Sequence, residues 1–439
     1  MKQQIRLGMI GLGTVGLGAL HIIRENAEII RHRLGVPIEV AKIAVRDLKK
    51  DRGVELTAGL LTDDPVKIIE DPDIDIVAEL IGGYEPAKEL ILTAIARGKH
   101  VVTANKALLA SHGAEILEAA RRMGVMIGFE ASVGGGIPII KALKESLAAN
   151  RILSIYGIIN GTSNYILSKM TDEDRPFADV IAEAQRAGYA EADPAFDVGG
   201  IDTAHKLSIL VNLAFTASVR LDQIFTEGIT AISPLDIDFG KEFGYKLKLL
   251  AIAKLHPGKE GEGNRVEVRV HPTMVPDDYP IAKVSGVYNA IQLVGDACGD
   301  IMLYGRGAGS LPTGSAVVGD VVDISRQILM EPSRKLPWID PPSPVQVQPM
   351  ESITSIYYFR LMALDQPGVL AQISGILGSH RISIAQMIQR GRKQGGSVPL
   401  VLMTHTALER NVQKAIVEIK ELGCVTEDPV LIRVEGEEQ

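Results

Sequence analysis

The chain has 439 residues, 46% of them hydrophobic, a net charge of −8 and only two cysteines. That length suggests two to four domains, and the acidic balance excludes a primary role on nucleic acid, which needs clustered lysine and arginine. Cys298 and Cys424 lie too far apart in sequence to suggest a disulfide framework or a cysteine zinc site, and the usage fits a cytoplasmic protein. No uninterrupted apolar stretch reaches the roughly 18 residues of a membrane span, and residues 1–13 carry no signal-peptide apolar region, so no membrane partner is expected.

Residues 5–10 read as a short buried strand, 11–16 as a turn and 17–34 as a helix. Strands are expected over 38–45, 74–81, 100–103 and 125–129, with helices over 85–97 and 110–122. Strands alternating with helices imply an α/β unit over residues 1–130, a Rossmann-type doubly wound parallel sheet. Its first turn, Gly11-Leu12-Gly13-Thr14-Val15-Gly16, fits G-x-G-x-x-G between a strand and a helix, the context the motif needs. The first glycine permits a tight turn, the second lets the backbone approach a pyrophosphate, and the third allows close helix packing. The helix N-terminus favours the anion. The plain alternative is a structural glycine turn. The second strand ends Ala44-Val45-Arg46-Asp47. Arg46 suits a ribose 2′-phosphate and so points to NADP, whereas Asp47 suits free ribose hydroxyls and leaves NAD open. Lys106 follows the carboxyl end of the 100–103 strand, where open sheets bind ligands; otherwise it is a solvated surface lysine.

The pattern changes after Glu130, and residues 131–310 read as an α+β substrate and oligomerisation domain. Residues 132–138 form a glycine-rich turn, 152–159 a strand, and 160–164 open a helix. Further helices are expected over 177–187 and 203–215, and strands over 266–270 and 291–294. A second glycine-rich turn at 305–309 precedes an apolar helix over 315–329 that returns to the first domain. Chemistry concentrates in Gly188-Tyr189-Ala190-Glu191-Ala192-Asp193-Pro194, then Asp197, then Asp202-Thr203-Ala204-His205-Lys206. Pro194 and Gly199-Gly200 keep the middle non-helical, and Asp202 falls at a helix start, a favourable N-cap. Asp202 and Lys206 share a helix face, while His205 points about 100° away and reads as packed or surface. A surface ion pair is the simple alternative; a calcium loop lacks the required spacing and glycine.

Residues 331–350 carry Pro332, Pro337, Pro341, Pro342, Pro344 and Pro349 and read as a linker. Beyond it, residues 351–439 follow the order βαββαβ, which is ferredoxin-like: strands over 353–363, 384–390, 398–404 and 430–434, a helix starting at Pro367-Gly368-Val369-Leu370, and another over 408–422.

Three motifs in order carry a resemblance: Glu130-Ala131-Ser132-Val133-Gly134-Gly135-Gly136-Ile137-Pro138, Asn160-Gly161-Thr162-Ser163-Asn164-Tyr165, and the segment 188–206. Together they resemble the homoserine dehydrogenases over roughly residues 5–330. The resemblance implies reversible, nicotinamide-dependent reduction of L-aspartate 4-semialdehyde to L-homoserine, as a step of threonine, methionine and isoleucine biosynthesis. It makes Lys206 the general acid and Asp202 its orienting partner. Lys106 becomes a second active-site lysine near cofactor and substrate, and Glu191 the substrate-binding acid, with Tyr189, Gly161, Thr162 and Asp197 in the same substrate shell. It further implies a structural sodium ion on the Glu130 carboxylate and the carbonyls of Val133, Gly135 and Ile137, the alternative being an ion-free turn ordered by Glu130. Leu364-Asp365-Gln366-Pro367-Gly368-Val369-Leu370 resembles the opening of an ACT domain. That implies an amino-acid effector, threonine, acting as feedback inhibitor, or else a ligand-free dimerisation module. A homodimer or homotetramer is expected. Two rival functions stay in view. A phosphorylating semialdehyde dehydrogenase needs a cysteine nucleophile, and neither cysteine lies in a motif. A catalytically silent amino-acid sensor would have lost residues that are all present here.

Overall fold

The computed structural model describes residues 2–258, 263–330, 345–391 and 396–436; residues 331–344 of the expected proline-rich linker lie outside the described residues. The chain forms two compact units. The first comprises Met1–Leu153, His205–Asp222 and Asn289–Pro344, the second Ser154–Ala204, Gln223–Tyr288 and Val345–Gln439.

The first unit is built on a six-stranded sheet in the order Leu61–Thr62, Ile38–Ala44, Ile5–Ile10, Ile76–Glu79, His100–Thr103, Ile127–Gly128. Every pairing is parallel, and the order reverses between Ile5–Ile10 and Ile76–Glu79. This is the doubly wound sheet expected from the sequence. Helices cover both faces, so its strands are nearly continuous apolar runs, and Ile5, Leu7, Met9, Ile43 and Ile76 are fully buried in one core with Leu20 and Val321. The expected helix over 17–34 is two helices, Thr14–Glu25 and Ala27–Leu34, broken at Asn26 (φ −101°, ψ 16°). Asparagine competes for backbone hydrogen bonds and disfavours a helix interior.

Helix Ser310–Leu329 lies along Thr14–Glu25 in this same unit. The approach depends on glycine: a Cβ on Gly18 would stand 2.0 Å from the Ser310 carbonyl oxygen, and one on Gly314 would stand 2.6 Å from the Ala19 nitrogen. The helix begins ahead of the expected residue 315 because Pro312 falls in its first turn, where proline costs no hydrogen bond. Strands Tyr288–Gly295 and Gly299–Arg306 neighbour one another just before it.

In the second unit the strands run in the order Ile152–Ile158, Tyr245–His256, Arg265–Pro276, Val430–Val434, Thr354–Leu364, Ser397–Thr404, Ile384–Gln389. The last four, with helices Val369–Ser379 and Glu409–Lys420, make the expected βαββαβ unit. Alternation along Thr354–Leu364 sends Tyr357, Phe359, Leu361 and Ala363 into the core with Ile373, Leu377, Val412 and Ile419. Tyr358 and Arg360, on the opposite face, both bond Asp236 of helix Pro234–Glu242.

The C-terminal sheet continues the middle one. Val430–Val434 pairs parallel with Arg265–Pro276, Thr273 opposite Arg433, and antiparallel with Thr354–Leu364, Ile356 opposite Val434. Charged side chains fill this seam. Arg269 bonds Glu267 (2.7 Å) and Glu435, which also holds Lys254 (2.8 Å). Arg433 grips both oxygens of Glu409 (2.6 and 2.9 Å) and reaches Glu227 (3.0 Å), while the Tyr357 hydroxyl donates to Glu409 (2.8 Å). Among the described residues no helix is long and apolar enough to cross a membrane.

Candidate functional site

The Gly11–Gly16 turn has the geometry its three glycines suggest. Gly11 has φ +107°, closed to most side chains, and a Cβ there would meet the Leu80 carbonyl at 2.8 Å; a Cβ on Gly16 would meet the Gly11 oxygen at 2.5 Å. Gly13 caps helix Thr14–Glu25, and no atom lies within 4 Å of where its Cβ would be. Leu12 is buried, while Thr14 and Val15 begin the helix. Two of the glycines thus close the turn internally and the middle one faces open space at a helix N-terminus, the arrangement an anion needs. Beyond the second strand, Arg46 is exposed, and Asp47 is spent on a local turn, its Oδ1 accepting the Lys49 and Lys50 amides (2.8 and 3.2 Å).

The carboxyl ends of the next two strands carry a buried polar chain that sequence reasoning missed. Glu79 is fully buried. Its Oε1 accepts the Ile81 and Gly82 amides (2.9 and 3.1 Å) and its Oε2 accepts the Thr103 hydroxyl (2.6 Å). Thr103 Oγ1 takes the Asn105 amide (3.0 Å), and the Asn105 side chain donates to the Gly83 carbonyl (2.6 Å) while capping helix Lys106–Met123 through Leu108 N (3.2 Å). Lys106, half-buried, is the first residue of that helix. Its backbone is therefore fixed at the crevice by Asn105 and Thr103.

In the second unit the 160–165 motif meets the 188–202 segment. Helix Gly161–Glu173 is capped by Asn160, whose Oδ1 accepts Ser163 N (2.8 Å). The Asn160 amide nitrogen donates to Asp197 Oδ1 (2.7 Å) and to Asp202 Oδ2 (2.8 Å). Thr162 Oγ1 donates to the Tyr189 carbonyl (2.7 Å), the rings of Tyr165 and Tyr189 lie 4.9 Å apart, and Gln185 donates to the Glu191 and Ala192 carbonyls (both 3.2 Å). The backbone of the 189–192 segment is thus held while the Tyr189 and Glu191 side chains stay exposed, and Gly161 sits beside them at the helix start. Two local expectations change. Residues Ala195–Val198 form a single helical turn after Pro194, because proline is well tolerated at a helix start. Helix Ile201–Ala214 begins before Asp202, which places that carboxylate inside the first turn rather than at the cap. Asp202, His205 and Lys206 are 1%, 7% and 8% exposed. A carboxylate and an ammonium four residues apart are thus both taken out of bulk water, unlike an ordinary surface pair.

Glu130 is buried, and each of its carboxylate oxygens accepts a backbone amide, from Ile140 and from Lys141 (both 2.8 Å). Its own N–H donates to Asp320 Oδ2 (2.8 Å). Burial pushes the Asp320 carboxyl up to about 8, and burial also raises Glu130. In the following turn Gly134 and Gly135 take positive φ (72° and 56°), Val133 is buried, and the Ile137 carbonyl accepts Ile139 N (2.8 Å). Among the described residues no group of three or more His, Cys, Asp or Glu forms a metal site.

A cavity of about 540 Å³ opens in the C-terminal unit between the Thr354–Leu364 strand end and helix Val369–Ser379, with Asp365, Gly368, Val369, Gln389 and Leu400 in its wall. Gly368 (φ +91°) makes the turn that exposes the helix N-terminal amides.

A dinucleotide cradle, a buried Asp–Lys helix and an appended βαββαβ unit define a nicotinamide-dependent oxidoreductase with a regulatory module. The comparisons agree. Residues 11–130 match the NAD-binding domain of homoserine dehydrogenase, 138–322 the homoserine dehydrogenase domain, and 357–424 the ACT domain. The Pseudomonas aeruginosa homoserine dehydrogenase is 47% identical over 438 residues, 98% of this chain and 99% of that one. The crystal structure of a homoserine dehydrogenase from Thiobacillus denitrificans is 49% identical with a TM-score of 0.91, covering 98% of each chain. A hyperthermophilic archaeal homoserine dehydrogenase solved in complex with NADPH is 25% identical with a TM-score of 0.61, covering 75% of this chain and all of that one. The chain belongs to the homoserine dehydrogenase family.

Proposed function

We propose that this protein interconverts L-aspartate 4-semialdehyde and L-homoserine with NADP. The observation that carries the reading is the burial of Asp202 and Lys206 on one helix next to the Asn160–Asp197 cluster. A reduced nicotinamide, when bound, supplies the hydride. Lys206 donates the proton that the nascent alkoxide takes up and recovers it in the reverse direction. Asp202 orients the ammonium, and Lys106 stands at the crevice toward cofactor and substrate. Glu191 receives the substrate ammonium, with Tyr189, Gly161, Thr162 and Asp197 completing that wall. Arg46 favours NADP because its guanidinium is exposed past the second strand while Asp47 is committed to its turn. Purified protein should oxidise L-homoserine with NADP, and Arg46→Ala should raise the KM for NADP about tenfold while leaving NAD nearly unaffected. No turnover with either cofactor would sink the reading.

The Glu130 turn suits a structural sodium ion in part. The Glu130 carboxylate already serves two amides, so the carbonyls of Val133, Gly135 and Ile137 would supply most of the oxygen ligands.

For regulation, the cavity beside Gly368 fits a small amino acid, its carboxylate on the helix amides and its ammonium on Asp365. Threonine, the end product of the route through homoserine, is the proposed inhibitor, and paired C-terminal units fit a homodimer or homotetramer. Asp365→Ala in the full chain should keep homoserine oxidation and lose threonine inhibition. Unchanged inhibition would place the effector elsewhere.

A further inference from the structure

We infer that Asn160 is a positioning residue for proton transfer. Its amide, shared between Asp197 and Asp202, sets the orientation of the acid that partners Lys206. The inference rests on the reading of Asp202 and Lys206 given above and extends it to a residue that acts through Asp202.

The geometry leaves Asn160 no unused hydrogen-bonding direction of consequence. Its Oδ1 accepts Ser163 N at 2.8 Å and so caps helix Gly161–Glu173. Its nitrogen carries two hydrogens, and these go to two different carboxylates, Asp197 Oδ1 at 2.7 Å and Asp202 Oδ2 at 2.8 Å. Asn160 is 5% exposed and Asp202 1%. Two carboxylates, buried Asp202 and half-buried Asp197, are drawn to one nitrogen and repel one another. A neutral donor bonded to one oxygen of each offsets that repulsion and fixes which oxygen of each faces inward. Ser163 Oγ adds a bond to the Asp197 carbonyl (3.1 Å), so the Ala195–Val198 turn is tied to the same helix start.

No other side chain does all three jobs. Aspartate would cap the helix equally well but offers no donor and adds a third negative charge. Serine also caps, yet has one short hydroxyl that cannot reach both acids. Leucine or alanine would lose the cap as well. Asparagine is the residue type that caps with one end and donates twice with the other.

The test uses the full chain and L-homoserine oxidation. Asn160→Ser keeps the cap, so its unfolding midpoint should stay near the parent's. Its kcat should fall about 10- to 100-fold, the size of one or two lost charge-assisted hydrogen bonds, with the KM for NADP unchanged. In an Asp202→Asn background, read at high enzyme concentration, the same substitution should cost less than about threefold, because the group it acts through is already gone. Asn160→Asp, a second cap-competent variant, should lose at least as much activity as the serine. An equal fold-loss with and without Asp202, or a loss confined to KM, would overturn the inference and leave Asn160 a helix cap. Absence of activity in the parent would instead reject the catalytic reading itself.

Discussion

Lys206→Met is expected to lower kcat for homoserine oxidation by about 10²- to 10⁴-fold, the usual contribution of a positioned proton-transfer group. Methionine approximates the length and volume of lysine, and the position is only 8% exposed, so the variant should fold and its loss should report chemistry rather than a cavity. The expected signature is an equal fall in kcat and kcat/KM, because the interaction removed is made in the transition state. Asp202→Asn should lose less. The amide can still hydrogen-bond the ammonium but no longer supplies the charge that favours it. If Lys206→Met instead retained turnover, the proton would have to pass through another group, and Lys106, fixed at the crevice by Asn105 and Thr103, would be tested next.

Much of this site was legible because its signals are local. The strand Ile5–Ile10, the glycine turn and the following helix are contiguous, and each glycine has its own steric reason, so residues 5–25 can be read without knowing the rest of the fold. Parallel strands also announce themselves, being apolar on both faces. What escaped depends on contacts between distant segments. The strand Tyr245–His256 was not among the expected elements, and Lys246, Lys248 and Lys254 interrupt its apolar pattern. Yet Lys248 is buried and donates to the Val284 carbonyl (2.6 Å), and Lys254 answers Glu435. Glu79 and Asn105 look like ordinary loop-edge polar residues until Thr103 joins them. Asn160 lay inside a motif that was read for Gly161 and Thr162, and nothing in its own neighbourhood points to acids 37 and 42 residues away. Periodicity reveals which face is buried, but it does not reveal which buried polar groups satisfy each other.

The same distinction governs the second large effect. Glu409→Ala is expected to destabilise the C-terminal unit by about 3–5 kcal/mol, measured by chemical denaturation, since it strands a buried guanidinium. Arg433 is almost wholly enclosed. Without Glu409 it would keep, among the described residues, Glu227, at 3.0 Å, and the face of Phe225, 4.9 Å from the ring centroid. The double variant Glu409→Leu/Arg433→Met should recover most of that loss, because a buried pair is worth little relative to well-packed apolar residues even though breaking it is costly. The effect should also depend on pH in a defined direction. Burial pushes the Glu409 carboxyl up, but the hydrogen bond and charge of Arg433 more than offset this and hold it below the ordinary carboxylate value. A depressed folded value means that the stabilisation is fully present above the unfolded value of about 4.5 and is lost as pH falls through the folded one. The stability difference between parent and Glu409→Ala should therefore be flat from pH 7 to about 5 and shrink below that. A difference that instead grew on acidification would mean that Glu409 is protonated in the native protein, and that Arg433 draws its compensation from Glu227 alone. Because Val430–Val434 pairs with the same edge of Arg265–Pro276 as Phe225–Thr226, while the opposite edge carries Tyr245–His256, the damage should extend into the middle sheet and not remain confined to the regulatory unit.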